Sequence, residues 1–163
     1  MKIVIAFITC FVLCTQPAHA MQPCMTSKLT KSEAMDKFDD IVVVKIKSSK
    51  DKTEWFLKQQ REQHKKEPEE LKKLEEYLMA YVTYNATVLE NFKGSLEGEI
   101  KLAEVRHALS SFGATLVTGF YYVLGLDSNS SDGVIIMPGC PVISMGTSKF
   151  DGEFLRRVEE FRK

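Results

Sequence analysis

The sequence predicts a mainly β domain: a small antiparallel barrel with helices attached. Three observations predict it. Several segments are rich in β-branched and aromatic residues and alternate inward and outward, turn signals separate them, and no strand–helix–strand rhythm runs through the chain. About five such segments precede a C-terminal helix, which makes the five-stranded OB-type Greek-key barrel the leading architecture.

Each element has its own local signal. Thr30 or Ser32 caps a short helix, with Glu33 in its first turn and Ala34, Met35 and Phe38 on its apolar face. Ile41–Lys47 reads as a strand that turns Val42, Val44 and Ile46 to one side. Residues 50–76 then hold eight basic and eight acidic side chains and no glycine, a composition that favours exposed helix over core. Glu54/Lys58, Glu62/Lys66 and Glu69/Lys73 stand four apart in the favourable order, each pair supporting a helix by about 0.2–0.5 kcal/mol. Pro68 suits a helix start, so the insert (50–77) is expected as two helices, Thr53–Lys66 and Pro68–Tyr77. Leu71, Leu74 and Leu78 give the second helix a stripe to dock with.

Tyr81–Leu89 alternates again, with Val82, Tyr84, Ala86 and Val88 inward and Asn85 outward. Phe92-Lys93-Gly94 closes that strand in a turn, and Glu99–Leu102 begins another; Ala103–Gly113 reads as a loop or a short helix. Gly119–Leu126 is strongly β, Asp127–Gly133 is a polar turn, and Val134–Met137 returns from it. After Pro138-Gly139-Cys140-Pro141 comes the last helix, capped by Ser148 or Asp151, with Phe154, Leu155, Val158 and Phe161 as its packed face.

The N-terminus carries a different signal. Lys2 is followed by an apolar run, Ile3–Leu13, then Pro17 and the small-x-small pattern Ala18-His19-Ala20. Residues 1–20 therefore read as a cleaved secretory signal, the run being far shorter than the ~20 residues a spanning helix needs. The remainder, 21–163, is expected to be a single extracellular domain with no membrane span. Its 21 basic and 22 acidic residues nearly cancel, which argues against a nucleic-acid role. Of four cysteines only Cys24 and Cys140 remain after cleavage. In an oxidising compartment they most simply pair with each other; two free buried thiols are the other reading. Asn85-Ala86-Thr87 and Asn129-Ser130-Ser131 are glycosylation sequons.

Catalytic patterns are sparse. His64 sits in the charged run and His107 stands apart from it, neither in an H-x-x-x-H spacing, and the chain has no P-loop or G-x-S-x-G. Asp39-Asp40 reads as a turn rather than a metal pair. No enzyme, cofactor or metal is expected.

In its ordered pieces the domain resembles the netrin-like domain, specifically the N-terminal inhibitory domain of tissue inhibitors of metalloproteinases. The pieces are Cys24, the helix and valine-rich strand Ala34–Ile46, Phe92-Lys93-Gly94, Gly119–Gly125, Asp132–Ile136 leading to Cys140, and the final helix. The resemblance implies an OB-fold barrel and supports a Cys24–Cys140 bond. It also implies a protease-binding ridge, Pro23, Cys24, Met25 and Thr26. In that family the first mature residue is a cysteine whose α-amino nitrogen and carbonyl oxygen chelate the protease's zinc. Here Cys24 matches the family's second cysteine, the first falls at Gln22, and Met21 projects one residue beyond, moving the amine by ~3.5 Å. Ser110-Ser111-Phe112-Gly113 lacks the partner cysteine. The expected function is a secreted binding module, monomeric, with weak or lost zinc-chelating inhibition. Its partner would be an extracellular protein, a metalloprotease or a matrix component. A working metalloendopeptidase inhibitor acting through the ridge around Cys24 is the alternative.

Overall fold

The computed structural model describes residues 29–107, 116–127, 130–131 and 133–163. In chain order the elements are α1 (Lys31–Lys37), β1 (Asp40–Asp51), α2 (Thr53–Gln63), α3 (Pro68–Tyr77), β2 (Leu78–Lys93) and β3 (Glu99–His107). They continue with β4 (Tyr121–Leu126), β5 (Ser130–Ser131), β6 (Val134–Ile136), β7 (Val142–Gly146) and α4 (Gly152–Arg162). The protein is mainly β, as expected.

The strands form one mixed sheet in the order β5-β6-β3-β2-β1-β4-β7. Every pairing is antiparallel except β3 with β6. Among the described residues no ladder joins β7 to β5 or β6, so the sheet is open and has seven strands where about five were expected. The excess comes from short pieces: β5 lies inside the expected turn, and β7 follows Pro141, where no strand was anticipated. Ala103–His107, expected as loop or helix, continues β3.

Alternation decides which side of the sheet each residue faces. Val42, Val44 and Ile46 pack with Tyr84, Ala86, Leu102, Tyr122 and Leu124 in one buried cluster, with Val82 and Val88 at its margin. Ile41 and Val43 turn the other way, onto Phe38 of α1 and Phe154, Val158 and Phe161 of α4. Three breaks in the β1–β2 register allow these long strands to bend around the first cluster.

The helices end where local chemistry stops them. Thr30 caps α1 through a box with Glu33, whose carboxylate receives the Thr30 N–H at 2.7 Å and is held below its ordinary pKa by it. Asp151, not Ser148, caps α4. On α4 Phe154, Val158 and Phe161 are buried, but Leu155 is exposed: the first three lie four and three residues apart on one face and Leu155 is at its rim. The Arg162 guanidinium clamps Glu90 of β2 with two 2.7 Å bonds, fixing the end of α4 to the sheet.

Phe92-Lys93-Gly94 locks three layers together. Phe92 stacks on Phe161 at 5.4 Å, and Lys93 Nζ donates to the carbonyls of Met35 and Phe38 at 2.6 Å, closing the open end of α1. Gly94 takes φ +91°, and a Cβ there would fall 1.8 Å from the buried Asp40 carboxylate, which accepts the Ser95 N–H. Asp39 lies in the bend before β1, as expected, whereas Asp40 is the first residue of β1 and its carboxylate holds the turn that follows β2.

The charged insert folds as two helices, the first ending at Gln63 rather than Lys66. That early end places Lys66 off the helix, and Glu62 pairs with Lys65 instead. Arg61 reaches across to Glu75 at 2.7 Å, joining α2 to α3. Neither helix has a buried residue; Leu71, Leu74 and Leu78 are half-buried.

Candidate functional site

The ridge expected from the sequence, Pro23, Cys24, Met25 and Thr26, lies outside the described residues, as does Asn129. Cys140 is half-buried in the link between β6 and β7 and is disulfide-bonded. Cys24, its expected partner, is also outside the described residues. Asn85 is exposed on the outer face of β2, where its Nδ2 donates to Ser48 Oγ at 2.9 Å. Thr87, two residues on and so on the same face, donates to Glu99 Oε1 at 2.6 Å. Both ends of that sequon are therefore at the surface.

The most built surface feature is the foot of the helical hairpin, where β1 gives way to α2. Asp51 Oδ1 accepts from both the hydroxyl and the N–H of Thr53, at 2.6 and 2.8 Å. These bonds hold the Asp51 carboxyl below its ordinary pKa. Thr53 Oγ1 accepts the Tyr81 N–H, and Lys52 N–H donates to the Tyr81 carbonyl, so the turn is stitched to β2. Phe56 stacks on Tyr81 at 4.4 Å. Trp55, the single tryptophan, remains 52% exposed, with Lys52 Nζ 5.4 Å from its ring centroid. Lys50–Trp55 line an open groove of about 690 Å³. A smaller hollow of about 440 Å³ is lined by Asn91–Glu97. The groove thus sets a half-exposed tryptophan among two lysines and two acids. Sequence reasoning passed over it because Trp55 lies in a run whose charges dominate.

A second polar group is buried. Tyr84 OH donates to Glu104 Oε2 at 2.9 Å, and Arg106 donates to the same oxygen at 2.9 Å and to Tyr84 OH at 3.2 Å. Burial and the adjacent carboxylate push the Tyr84 phenol up to about 12. Leu102 stands opposite Tyr84, so Glu104 and Arg106 lie on the same inward face as the ladder proceeds. None of the three residues lines either hollow. Its chemistry is that of a buried carboxylate paired with a guanidinium through one oxygen.

One group of ligating side chains escaped the sequence reading. His64, Glu67 and Glu70 place one ligand atom each within 4.8 Å of one another, where α2 turns into α3. The H-x-x-E-x-x-E spacing crosses Pro68, so reading His64 alone missed it.

The chain matches no protein-family model and no curated protein sequence.

Proposed function

We propose that this chain is a secreted, netrin-like protein-binding module of the metalloprotease-inhibitor type, with weak or lost zinc-chelating inhibition. The observation that carries this reading is the relation of β6 to β7. Met137 N–H donates to the Ala103 carbonyl of β3, whereas the Pro141 carbonyl accepts from Gly125 of β4. Only Pro138, Gly139 and Cys140 lie between those two bonds. β6, next to one edge of the open sheet, and β7, at its other edge, therefore read as successive parts of one interrupted strand, the first parallel to β3 and the second antiparallel to β4. Counting β6 and β7 as one and setting aside the two-residue β5 leaves five strands, an order that supports reading the sheet as the Greek key of an OB barrel, with the disulfide-bonded Cys140 at the interruption.

Such a barrel would present the segment bonded to Cys140 at one end and the Trp55 foot on its helical insert. The partner in this reading is an extracellular protein, a metalloprotease or a matrix component. Inhibition is weak because Met21, Gln22 and Pro23 would tether the free amine beyond Cys24. Ordering each tether residue costs about 1–2 kcal/mol.

The test takes the secreted protein, reads its N-terminal residue, and titrates it against a panel of matrix metalloproteases. The expected result is a chain starting at Met21 that inhibits weakly or not at all. Nanomolar inhibition abolished by N-terminal acetylation would overturn this in favour of a working inhibitor.

A further inference from the structure

The joint of the helical hairpin carries a cluster that the binding reading does not use. His64 caps the end of α2, Glu67 is the N-cap of α3, and Glu70 lies in the first turn of α3. Pro68 restarts the helix, and Glu67 N–H bonds the His64 carbonyl at 2.9 Å, so the link is tight. It brings His64 Nδ1 to 3.1 Å from Glu67 Oε2 and 3.7 Å from Glu70 Oε2.

Two features point to a cation. Two carboxylate oxygens face one imidazole nitrogen, and only the nearer, Glu67 Oε2, is within hydrogen-bond distance, which leaves the Glu70 oxygen beside the ring without a bond to it. The spacing also fits a metal. A tetrahedral ion with bonds of about 2.0–2.2 Å sets its ligand atoms about 3.4 Å apart. The separations of His64 Nδ1 from the two carboxylate oxygens fall on either side of that value, and all three ligand atoms lie within 4.8 Å of one another.

We propose that His64, Glu67 and Glu70 form a site for a first-row divalent transition ion of the zinc class. One imidazole and two carboxylates are the mixed nitrogen and oxygen set such ions accept, with the fourth position open to water. Calcium needs about six to eight oxygen ligands and magnesium an octahedron of oxygens, and this cluster supplies neither. The ion bonds Nδ1 of the neutral imidazole, whose single proton moves to Nε2, and ties the end of α2 to the start of α3. Binding to the folded hairpin alone stabilises it by mass action.

Calorimetric titration of the metal-free secreted protein with Zn²⁺ and with Ca²⁺ tests the site. A single saturable zinc step is expected, and no calcium step. His64→Ala, and separately the pair Glu67→Gln with Glu70→Gln, should weaken zinc at least by the roughly tenfold that even an outer-shell change costs. His107→Ala, which removes the other histidine of the expected mature chain, should leave it unchanged. Co²⁺ supplies a second readout, a tetrahedral visible band present in the parent protein and lost in His64→Ala. Circular dichroism verifies that the variants keep their helices. Equal zinc affinity in the parent protein and in His64→Ala overturns the proposal, as does a zinc step that calcium reproduces.

Discussion

The β body enters the α2–α3 hairpin through Lys52 alone and leaves it directly from Tyr77 to Leu78, yet the two are held by different forces. The body buries apolar side chains on both sides of its sheet, Val42, Val44, Tyr84 and Leu124 on one side and Ile41, Val43, Phe154 and Phe161 on the other. The hairpin buries none; it rests on the Phe56–Tyr81 stack at its foot and on ion pairs such as Arg61–Glu75. Exposed ion pairs contribute about 0–1 kcal/mol each, whereas a buried aromatic ring contributes several times that. Stability should therefore reside in the body, and the hairpin should be separable from it.

The largest effect expected from this contrast is loss of a body aromatic. Phe161→Ala removes the ring that stacks on Phe92 and underlies Arg157, and should cost about 3–5 kcal/mol in denaturant unfolding. Next comes Lys93→Met, which keeps the apolar stem but leaves the carbonyls of Met35 and Phe38 without their donor. A loss of about 1–3 kcal/mol is expected by the same measurement.

An intermediate effect appears on raising the pH. The fold favours the neutral Tyr84 phenol, so its contribution is intact below pH 10, the unfolded value. It is lost as pH rises toward the folded value of about 12. Burial raises Tyr81 and Tyr122 in the same direction. Stability measured across that window should fall, and Tyr84→Phe should make the fall shallower; an unchanged slope would show that Tyr84 is not its source. The smallest effect belongs to the hairpin. Leu71→Ala should change the global unfolding free energy by less than about 1 kcal/mol, since its site is only half-buried. Replacing Thr53–Tyr77 with a short Gly/Ser bridge should leave a cooperatively unfolding domain, and loss of cooperativity would tie the hairpin to the core.

The same contrast explains what could be read from the sequence. In the body, burial imposes a period of two, so the faces of Val42/Val44/Ile46 and of Val82/Tyr84/Ala86/Val88 were legible, as was the outward Asn85. In the hairpin, Pro68 and the lack of glycine marked the helices. The Arg61–Glu75 pair was not legible, because its two residues are fourteen apart on different helices, out of reach of an i,i+4 rule. Strand β7 was missed because five residues between a proline and a glycine-containing turn carry too little pattern. The parallel β3–β6 pairing was invisible for the same reason, β6 being three residues long. The Glu104–Arg106–Tyr84 cluster depends on a contact between β2 and β3 that local spacing does not encode, whereas the His64 cluster lies within seven residues and was missed because Pro68 interrupts the helical spacing.

Amide hydrogen exchange on the intact protein, without added metal, tests the separation of body and hairpin most directly. Amides in the β1–β2 and β1–β4 ladders should exchange only through global unfolding, while those of Thr53–Gln63 and Pro68–Tyr77 exchange through local opening, orders of magnitude faster. Protection in the two helices equal to that of the β1 ladders would contradict this separation, because the hairpin would then belong to the cooperative core.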